Sequence, residues 1–325
     1  MSINNLKAVF WDYPELCDPE TLRKTLNESR LSNDDKIVHW IMARFLERGR
    51  IRDTASFFRP AEIREKLDFL KISHKARKRW QRLLEVYWKF MSKLIKEDIT
   101  CYASETQEDV LSIISGSNVI SEHFFITGGT ALSVFYLHHR VSEDIDLFSM
   151  DYRDLDTINE TVKRMFRDDL AIIQSSPEFY SYLIREVKVD IVFDPLSIIG
   201  KRPVVNLMSS GKIPVDTLDN ICSKKLCTMA SRFEPKDIID FFFISKTIWK
   251  GSENDSFSAC YEMARKKEAL LDDPAMAAYQ IEELLTMMLS EKEKVLPSMK
   301  AIMDWDSFER DIRYYIDLIY RMHHW

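Results

Sequence analysis

The fold is decided by residues 124–148, which read FFITGGTALSVFYLHHRVSEDIDLF. The apolar start of this stretch, Phe-Phe-Ile, predicts a short buried strand. The strand is expected to stop at Gly128 and Gly129, where the backbone can turn sharply and expose its N–H groups. Thr130 is then the expected N-cap of a helix over residues 131–139, because the apolar side chains there recur at helical spacing.

A second strand is expected at the end of this stretch, over residues 144–148, which read DIDLF. Alternate side chains of a strand share a face, so Asp144 and Asp146 point to one side and the apolar residues point to the other. Two carboxylates aimed at one spot in an apolar strand repel each other and lose hydration. A divalent cation held between them would account for the pair.

A third carboxylate is predicted to join this pair from another strand. Residues 187–193 read VKVDIVF and favour a strand in which the branched apolar residues share one face. Lys188 and Asp190 take the other face, which leaves Asp190 free to approach Asp144 and Asp146 from a neighbouring strand. The sequence therefore predicts a metal site made by three aspartate carboxylates.

The resemblance to a known family depends on a longer string than this pair of carboxylates. Gly-Gly-Thr-Ala-Leu at 128–132, followed by R-x-S-x-D-I-D-L-F at 140–148, resembles the signature of the AbiEii-type (MenT-like) nucleotidyltransferase toxins. An isolated Asp-x-Asp also occurs in surface loops and in glycosyltransferases, so the whole string with its spacing carries the resemblance. It implies an α+β fold in which a polymerase-beta-like mixed-sheet core is flanked by N-terminal and C-terminal helical regions.

The resemblance also implies roles for residues of this part of the chain. Asp144, Asp146 and Asp190 would bind Mg²⁺ or Mn²⁺ and take part in catalysis, with an NTP as substrate. The implied nucleotide-binding residues are Gly128, Gly129, Thr130 and Ser142. Ser142, expected two residues before the metal site on the same strand face, is in addition a candidate for an inactivating modification.

A second constellation follows further along the chain. Lys225 and Arg232 are seven residues apart, which would place them on one helical face ~10.5 Å apart along the axis. Two fixed cations suit a triphosphate, because phosphoryl transfer depends mostly on positioning and charge neutralisation. Lys236-Asp237 opens the next helix, and the resemblance implies that Asp237 is catalytic and orients the nucleotide or the acceptor. Lys224 competes with Lys225 for the helix position, and Asp237 could instead be an ordinary first-turn acid.

Composition and cysteine usage exclude several classes of protein. With 325 residues, 46% of them hydrophobic, the chain can build real cores and is not a disordered chain. No run approaches the ~20 apolar residues of a membrane span, and the N-terminus lacks the apolar region of a signal peptide. The five cysteines are scattered without a Cys-x-x-Cys pair, which predicts free thiols in a reducing cytoplasm and no zinc site.

Charge is distributed unevenly along the chain. The net charge is −6, yet residues 1–100 carry 21 Lys and Arg against 15 Asp and Glu. A basic helical half beside an acidic catalytic half is compatible with a polyanionic substrate held by the basic part. Unrelated surface charges would give the same totals. Residues 74–82, which read HKARKRWQR, could likewise bind RNA phosphates or form the solvated face of a helix.

Three domains are expected. They are a helical N-terminal domain over 1–102, a nucleotidyltransferase core over 103–216, and a C-terminal helical domain over 217–325 that completes the active site. Short helical patterns in the first of these resemble a domain found beside AbiEii-type toxins, sometimes as a separate antitoxin-like protein. The chain would then fuse a regulatory module to an enzyme. An ordinary helical extension packed on the core is the alternative.

The resemblance implies that the chain moves a nucleoside monophosphate from an NTP to an acceptor hydroxyl. The implied acceptor is the 3′ end of a tRNA, and the implied setting is a cytoplasmic toxin–antitoxin or phage-defence pair. An antitoxin partner or inhibition by the N-terminal domain would regulate the enzyme, and no membrane is involved. Two alternatives remain open, a non-catalytic regulator on the same fold and a small-molecule nucleotidyltransferase of the kind that modifies antibiotics.

Overall fold

The computed structural model describes residues 3–31, 35–58, 60–197, 202–249 and 253–322. Contacts between residues divide the chain into two compact units, Met1–Lys93 and Leu94–Ile198 with Arg202–Trp325. The first unit is helical, and the second contains the β-strands together with further helices. The three-domain division expected from the sequence, with boundaries after residues 102 and 216, stays a prediction.

The first unit has an aromatic core. Its α-helices are Ile3–Val9 (α1), Pro19–Leu31 (α2), Asp35–Arg48 (α3), Ile51–Ala55 (α4), Pro60–Lys66 (α5) and His74–Leu94 (α6). The ring of Phe45 packs against those of Phe10, Phe57 and Phe58, with centroids between 5.1 and 5.7 Å apart. Trp80 is buried, and its indole N–H donates to a backbone carbonyl oxygen of α3 (3.0 Å). Trp80 is therefore a core residue of α6 rather than an exposed platform for a nucleic-acid base.

The second unit is organised around a mixed β-sheet. The strands of this sheet are Phe125–Thr127 (β1), Ile145–Ser149 (β2), Leu170–Ser176 (β3), Phe179–Ile184 (β4) and Val187–Phe193 (β5). Their order is β1-β2-β5-β4-β3, and β2 and β5 are parallel whereas the other neighbours are antiparallel. A separate hairpin pairs Val204–Asn206 (β6) with Lys212–Pro214 (β7). The predicted α+β fold with a mixed-sheet core is thus confirmed.

Helices pack around this sheet, and several of them begin at side-chain caps. They are Glu105–Ser115 (α7), Asn118–His123 (α8), Gly128–Leu132 (α9), Leu155–Phe166 (α10), Leu218–Ser231 (α11), Pro235–Ile248 (α12), Glu253–Arg265 (α13), Pro274–Ser290 (α14), Lys292–Val295 (α15) and Trp305–Met322 (α16). Ser104, Thr217 and Asp273 each accept a hydrogen bond from a backbone N–H two or three residues on. Phe241 of α12 and Tyr315 of α16 meet edge to face, with ring centroids 5.4 Å apart.

The strand register brings distant parts of the sequence together. Asp146 on β2 lies opposite Thr127 on β1 and opposite Asp190 on β5. Ile145 and Leu147 point to the other side of the sheet and are fully buried. The turn that follows β1 and the acidic residues of β2 and β5 therefore lie next to one another.

Two further sequence predictions can be compared with the structure. Among the described residues, no helix combines the length and the apolar character that crossing a membrane would require. All five cysteines are free, which confirms the prediction of free thiols. Four of them are buried, so their surroundings in the fold decide what chemistry they can take part in.

Candidate active site

The three predicted carboxylates lie side by side at the join of β2 and β5. β2 begins at Ile145, so Asp144 lies directly before the strand and Asp146 is its second residue. Asp146 and Asp190 are register partners on parallel strands. The prediction that Asp190 reaches the pair from a neighbouring strand is confirmed. Asp144 lies one residue outside the strand that was predicted to carry it.

Two lysines to which the sequence analysis assigned no role face these carboxylates. Lys188 donates from Nζ to Asp190 Oδ2 (2.8 Å), and the hydroxyl of Ser181 donates to Asp190 Oδ1 (2.6 Å). Lys236 Nζ lies 3.6 Å from Asp144 Oδ2. The alternation of β5 already placed Lys188 on the face of Asp190, which was the available signal.

The electrostatics of the cluster favour a bound cation. Burial, together with the charges of Asp190 and Asp144, raises the pKa of Asp146 to about 6. The nearby lysine charges act in the opposite direction without cancelling this effect. Carboxylate oxygens are hard ligands of the kind that Mg²⁺ and Mn²⁺ prefer, so the donor set fits such an ion. The oxygens of the three carboxylates do not form a group in which every pair lies within 4.8 Å.

The glycine turn is required by the side chains that approach it. Gly128 has a φ of +70°, and a Cβ at this position would lie 2.0 Å from Asp146 Oδ2. A Cβ on Gly129 would lie 2.5 Å from Arg140 Nη2 and 3.0 Å from Ser142 Oγ. The left-handed backbone at Gly128 also favours glycine by itself. Because α9 begins at Gly128, the first N–H groups of this helix have no intrahelical acceptor.

Thr130 lies inside α9, so the prediction that it caps a helix is wrong. The turn at Gly128 starts the helix three residues earlier than the apolar pattern indicated. The hydroxyl of Thr130 is buried and donates to the backbone carbonyl oxygen of Asp144, which Gln107 Nε2 also approaches at 3.4 Å. Thr130 thus fixes the chain that carries the first carboxylate, and its part in nucleotide binding stays a prediction.

Ser142 does not share a strand with the carboxylates, so that prediction is also wrong. It forms an isolated bridge with Tyr102, and its N–H donates to the carbonyl oxygen of Cys101 (3.1 Å). Its side chain is buried next to Gly129. A modifying enzyme would have to open this region to reach the hydroxyl.

The second constellation converges on Asp237. α11 ends at Ser231, and Arg232 has an extended backbone, so the prediction of a shared helical face with Lys225 is wrong. The two cations nevertheless meet, because Lys225 Nζ donates to Asp237 Oδ1 (2.7 Å) and Arg232 Nε donates to Asp237 Oδ2 (2.9 Å). Burial would raise the pKa of Asp237, but these two charges hold it below its ordinary value. Asp237 lies in the first turn of α12, as predicted.

Asp240, one turn along α12, is the centre of a buried network that the sequence interpretation missed. Arg140 donates to both of its oxygens, from Nε at 2.7 Å and from Nη2 at 2.8 Å. His139 Nε2 and Lys225 Nζ also lie 2.7 and 2.6 Å from these oxygens. The i,i+3 spacing of Asp237 and Asp240 places both on one helical face, and this was the signal available in the sequence.

Lys225 and Arg232 differ in how accessible they are. The side chain of Lys225 is 7% exposed, and its ammonium group contacts two carboxylates, whereas the side chain of Arg232 is 53% exposed. Lys224, the competitor for the helix position, points elsewhere, with Nζ 3.9 Å from the ring centroid of Phe148 and 3.6 Å from Asp216 Oδ2. Lys225 is therefore the helix lysine that joins the Asp237 network.

A cavity of about 360 Å³ adjoins Asp144. Its walls include the side chains of Ser104, Gln107, Glu143, Glu186 and Lys188. Polar groups that both donate and accept hydrogen bonds therefore surround a space open to the first carboxylate.

The carboxylates, the glycine turn and the Asp237–Asp240 network lie within a region that matches a known protein family. The model of the nucleotidyl transferase AbiEii toxin, of type IV toxin–antitoxin systems, matches residues 117–319, which is more than half of the chain. The chain belongs to this family. AbiEii proteins are nucleotidyl transfer enzymes, and the match includes the glycine turn, the three carboxylates and the Asp237–Asp240 network. The first unit lies outside it.

Solved structures similar to this AbiEii protein include JHP933 from Helicobacter pylori, with 17% identity and a TM-score of 0.42 over 68% of this chain and 94% of that one. MenT4, a nucleotidyltransferase toxin from Mycobacterium tuberculosis, has 12% identity and a TM-score of 0.43 over 66% and 81%. ANT(2″)-Ia in complex with adenylyl-2″-tobramycin has 12% identity and a TM-score of 0.37 over 50% and 98%. Curated proteins gave no match.

Proposed function

We propose that this AbiEii protein transfers a nucleoside monophosphate from an NTP to an acceptor hydroxyl and releases pyrophosphate. The observation that supports this most directly is the facing of Asp146 and Asp190 across β2 and β5, with Asp144 two residues before Asp146. These carboxylates would hold Mg²⁺ or Mn²⁺. When bound, such ions neutralise phosphate charge and stabilise the attacking and leaving oxygens.

The remaining residues would position the nucleotide around this centre. The first N–H groups of α9, at Gly128 and Gly129, have no acceptor within the helix and would suit phosphate oxygens. Arg232 is half-exposed and held by Asp237, so we assign it the task of binding the triphosphate. Lys225 would keep Asp237 in place, since both of its acceptors are buried carboxylates.

The acceptor hydroxyl would approach from the cavity beside Asp144. Its oxygen attacks the α-phosphorus, the bond to the bridging oxygen of pyrophosphate breaks, and the acceptor proton passes to a carboxylate, for which we assign Asp190. Lys188 and Ser181 hold Asp190 in its present orientation, through one hydrogen bond to each of its two oxygens.

For the acceptor we propose the 3′ end of a tRNA in a cytoplasmic toxin–antitoxin setting, because the matched family is one of toxins. The first unit would then be a regulatory module or would take part in binding an antitoxin. A small cationic molecule is the second candidate, and one observation favours it: Glu143, Asp144 and Glu186 give the cavity an acidic lining. Carboxylates attract amines and repel phosphates.

Labelling distinguishes these acceptors. The full-length protein is incubated with each α-³²P-NTP and Mg²⁺, together with total tRNA, total protein or an aminoglycoside. We expect label on tRNA with the wild type, no label with Asp144→Ala, and unchanged labelling with Asp317→Asn, an exposed acid on α16. Label on the aminoglycoside alone would support the second candidate. Absence of any transferred label despite NTP binding would support a non-catalytic regulator.

A further inference from the structure

Three side chains of different chemistry converge at a place that the proposed reaction does not use. The carboxylate of Asp98, the thiol of Cys101 and the imidazole of His138 each offer an atom within 4.8 Å of the other two. Among the described residues, no other group of three potential metal ligands is spaced this closely. Carboxylate oxygen, sulfur and imidazole nitrogen together form a set typical of zinc.

The turn that carries Asp98 and Cys101 fixes their relative positions. Asp98 precedes the 3₁₀ turn Ile99–Cys101, and its Oδ1 accepts a hydrogen bond from the N–H of Thr100 (3.0 Å). The other oxygen, Oδ2, is left facing His138 Nδ1 at 3.9 Å. Zinc ligands often come as two residues separated by two others on a tight turn, with further ligands from elsewhere in the chain.

His138 is held by an uncommon backbone conformation. It follows the π-helical segment Ser133–Leu137 and has a φ of +51°, in the left-handed region. Residues other than glycine adopt this backbone conformation rarely, and mainly where the surrounding structure fixes them. The imidazole Nδ1 lies 3.1 Å from the carbonyl oxygen of Ser133. This contact holds the ring beside Asp98, and Nδ1 would have to give up its proton and the hydrogen bond to Ser133 in order to bind an ion.

Lys300 already supplies a positive charge at this point. Its Nζ lies 3.6 Å from Asp98 Oδ2 and 3.6 Å from Cys101 Sγ, and it contacts the hydroxyl of Thr100. The Lys300 side chain is 29% exposed, and those of Asp98 and His138 are about a third exposed, whereas Cys101 is fully buried. The cluster is therefore open to solvent on the side of Asp98 and His138, with the thiol beneath. A divalent ion could therefore enter if the ammonium group turned outward.

We propose that Asp98, Cys101 and His138 form a binding site for a zinc-class divalent ion, with Lys300 as a competitor within the same chain. On binding, the Cys101 thiol releases its proton to solvent, its sulfur bonds to the ion, and a water molecule takes the fourth position. This differs from the expectation of no zinc site, which considered cysteine pairs alone. The ion would fix His138, whose neighbours His139 and Arg140 hold Asp240.

Metal binding to the full-length protein tests this site. After treatment with a chelator, the protein is titrated with Zn²⁺ in equilibrium dialysis, and with Co²⁺ in an absorption experiment that detects thiolate-to-metal charge transfer. Asp98→Asn keeps an oxygen that can accept the hydrogen bond from the N–H of Thr100, but it loses the negative charge that would bind the ion. Asp273→Asn is its matched control, because Asp273 also caps a turn but lies apart from the cluster.

In the wild type we expect one thiolate-bound ion per chain, detected by its charge-transfer band. Loss of a residue that hydrogen-bonds to a metal ligand typically weakens metal binding ~10–100-fold. Asp98→Asn and Cys101→Ser remove direct ligands, so they should weaken binding at least as much. Lys300→Met should tighten binding, and Asp273→Asn should leave it unchanged. The proposal is overturned if Cys101→Ser keeps the band or the zinc affinity, or if neither the wild type nor Lys300→Met binds zinc. Ions held by the active-site carboxylates would give no thiolate band.

Discussion

The guanidinium of Arg140 and the carboxylate of Asp240 form a two-point ion pair in the interior of the second unit, with Nε and Nη2 donating to the two oxygens at 2.7 and 2.8 Å. Both side chains are almost inaccessible to solvent. The pair links the chain beside the glycine turn to α12, although the two residues are 100 positions apart. It is one of several contacts between α12 and the part of the chain next to the three carboxylates, together with those of His139 with Asp240 and Lys236 with Asp144.

Removal of the Asp240 charge is predicted to destabilise the fold. Asp240→Asn leaves Arg140 and Lys225 buried without their shared counter-charge, and breaking such a pair typically costs ~3–5 kcal/mol. Urea unfolding measures the loss. Asp169→Asn is the control, because its ion pair with Arg185 is exposed, and should cost less than ~1 kcal/mol. If both variants lost the same small amount of unfolding free energy, the network around Asp240 would not stabilise the fold as proposed.

The same network predicts a dependence of stability on pH. Burial alone would raise the pKa of Asp240, but the charges of Arg140 and Lys225 hold it well below its ordinary value. A carboxyl group whose pKa is depressed by folding contributes stability above its unfolded pKa of ~3.9 and loses that contribution as the pH falls toward the folded pKa. The urea concentration at the midpoint of unfolding should therefore decrease as the pH is lowered below about 4. Asp240→Asn should show a shallower fall, and parallel curves would contradict the assignment.

Arg232 is predicted to matter for substrate more than for stability. Its side chain is half-exposed and Lys225 would still pair with Asp237, so Arg232→Gln should lower the free energy of unfolding less than Asp240→Asn does. A lost hydrogen bond to a charged group costs ~1.5–3 kcal/mol, which corresponds to a decrease of ~10–100-fold in kcat/KM for the NTP. Steady-state kinetics measures this decrease, and Arg185→Gln is the exposed control. Unchanged kinetics in Arg232→Gln would remove Arg232 from the proposed triphosphate site.

The glycine turn is predicted to be intolerant of any side chain. In Gly128→Ala the added Cβ would fall 2.0 Å from Asp146 Oδ2, so the carboxylate or the turn must move. A displacement of ~1 Å at a reacting centre can reduce activity ~100-fold. Gly116→Ala is a suitable control, since Gly116 has a φ of −71° at the end of α7. Normal label transfer by Gly128→Ala would show that Asp146 is not positioned by this turn.

The sequence predicted those parts of the site whose geometry is local. The apolar alternation around Asp146 and Asp190 determined which face each carboxylate takes, and a strand has only two faces. The same reasoning could not show that Asp240 binds Arg140, because that contact depends on packing between elements far apart in the chain. Arg232 was placed on a helix from its spacing alone. Pro235 disfavours helical conformation in the residue before it, and α11 ends before Arg232.

Thr130 and Ser142 show the second reason for the wrong predictions. Each lies three residues from the observed boundary of its element, since β2 begins at Ile145 and the N-cap of α9 is Thr127. A left-handed turn at Gly128 begins the helix before Thr130, and Ser142 pairs with Tyr102 instead of continuing β2. Such features come from single backbone angles and from partners distant in sequence, and periodicity does not report either of them.

Transfer of label from an α-³²P-NTP by Asp146→Asn, Asp190→Asn and the double variant tests the central claim most directly. If both carboxylates hold the same metal centre, each single variant should lose roughly a thousandfold in rate, and the double variant should lose little more. Circular dichroism should show the three variants folded. Label transfer at the wild-type rate by either single variant would contradict the claim that Asp146 and Asp190 form one catalytic site.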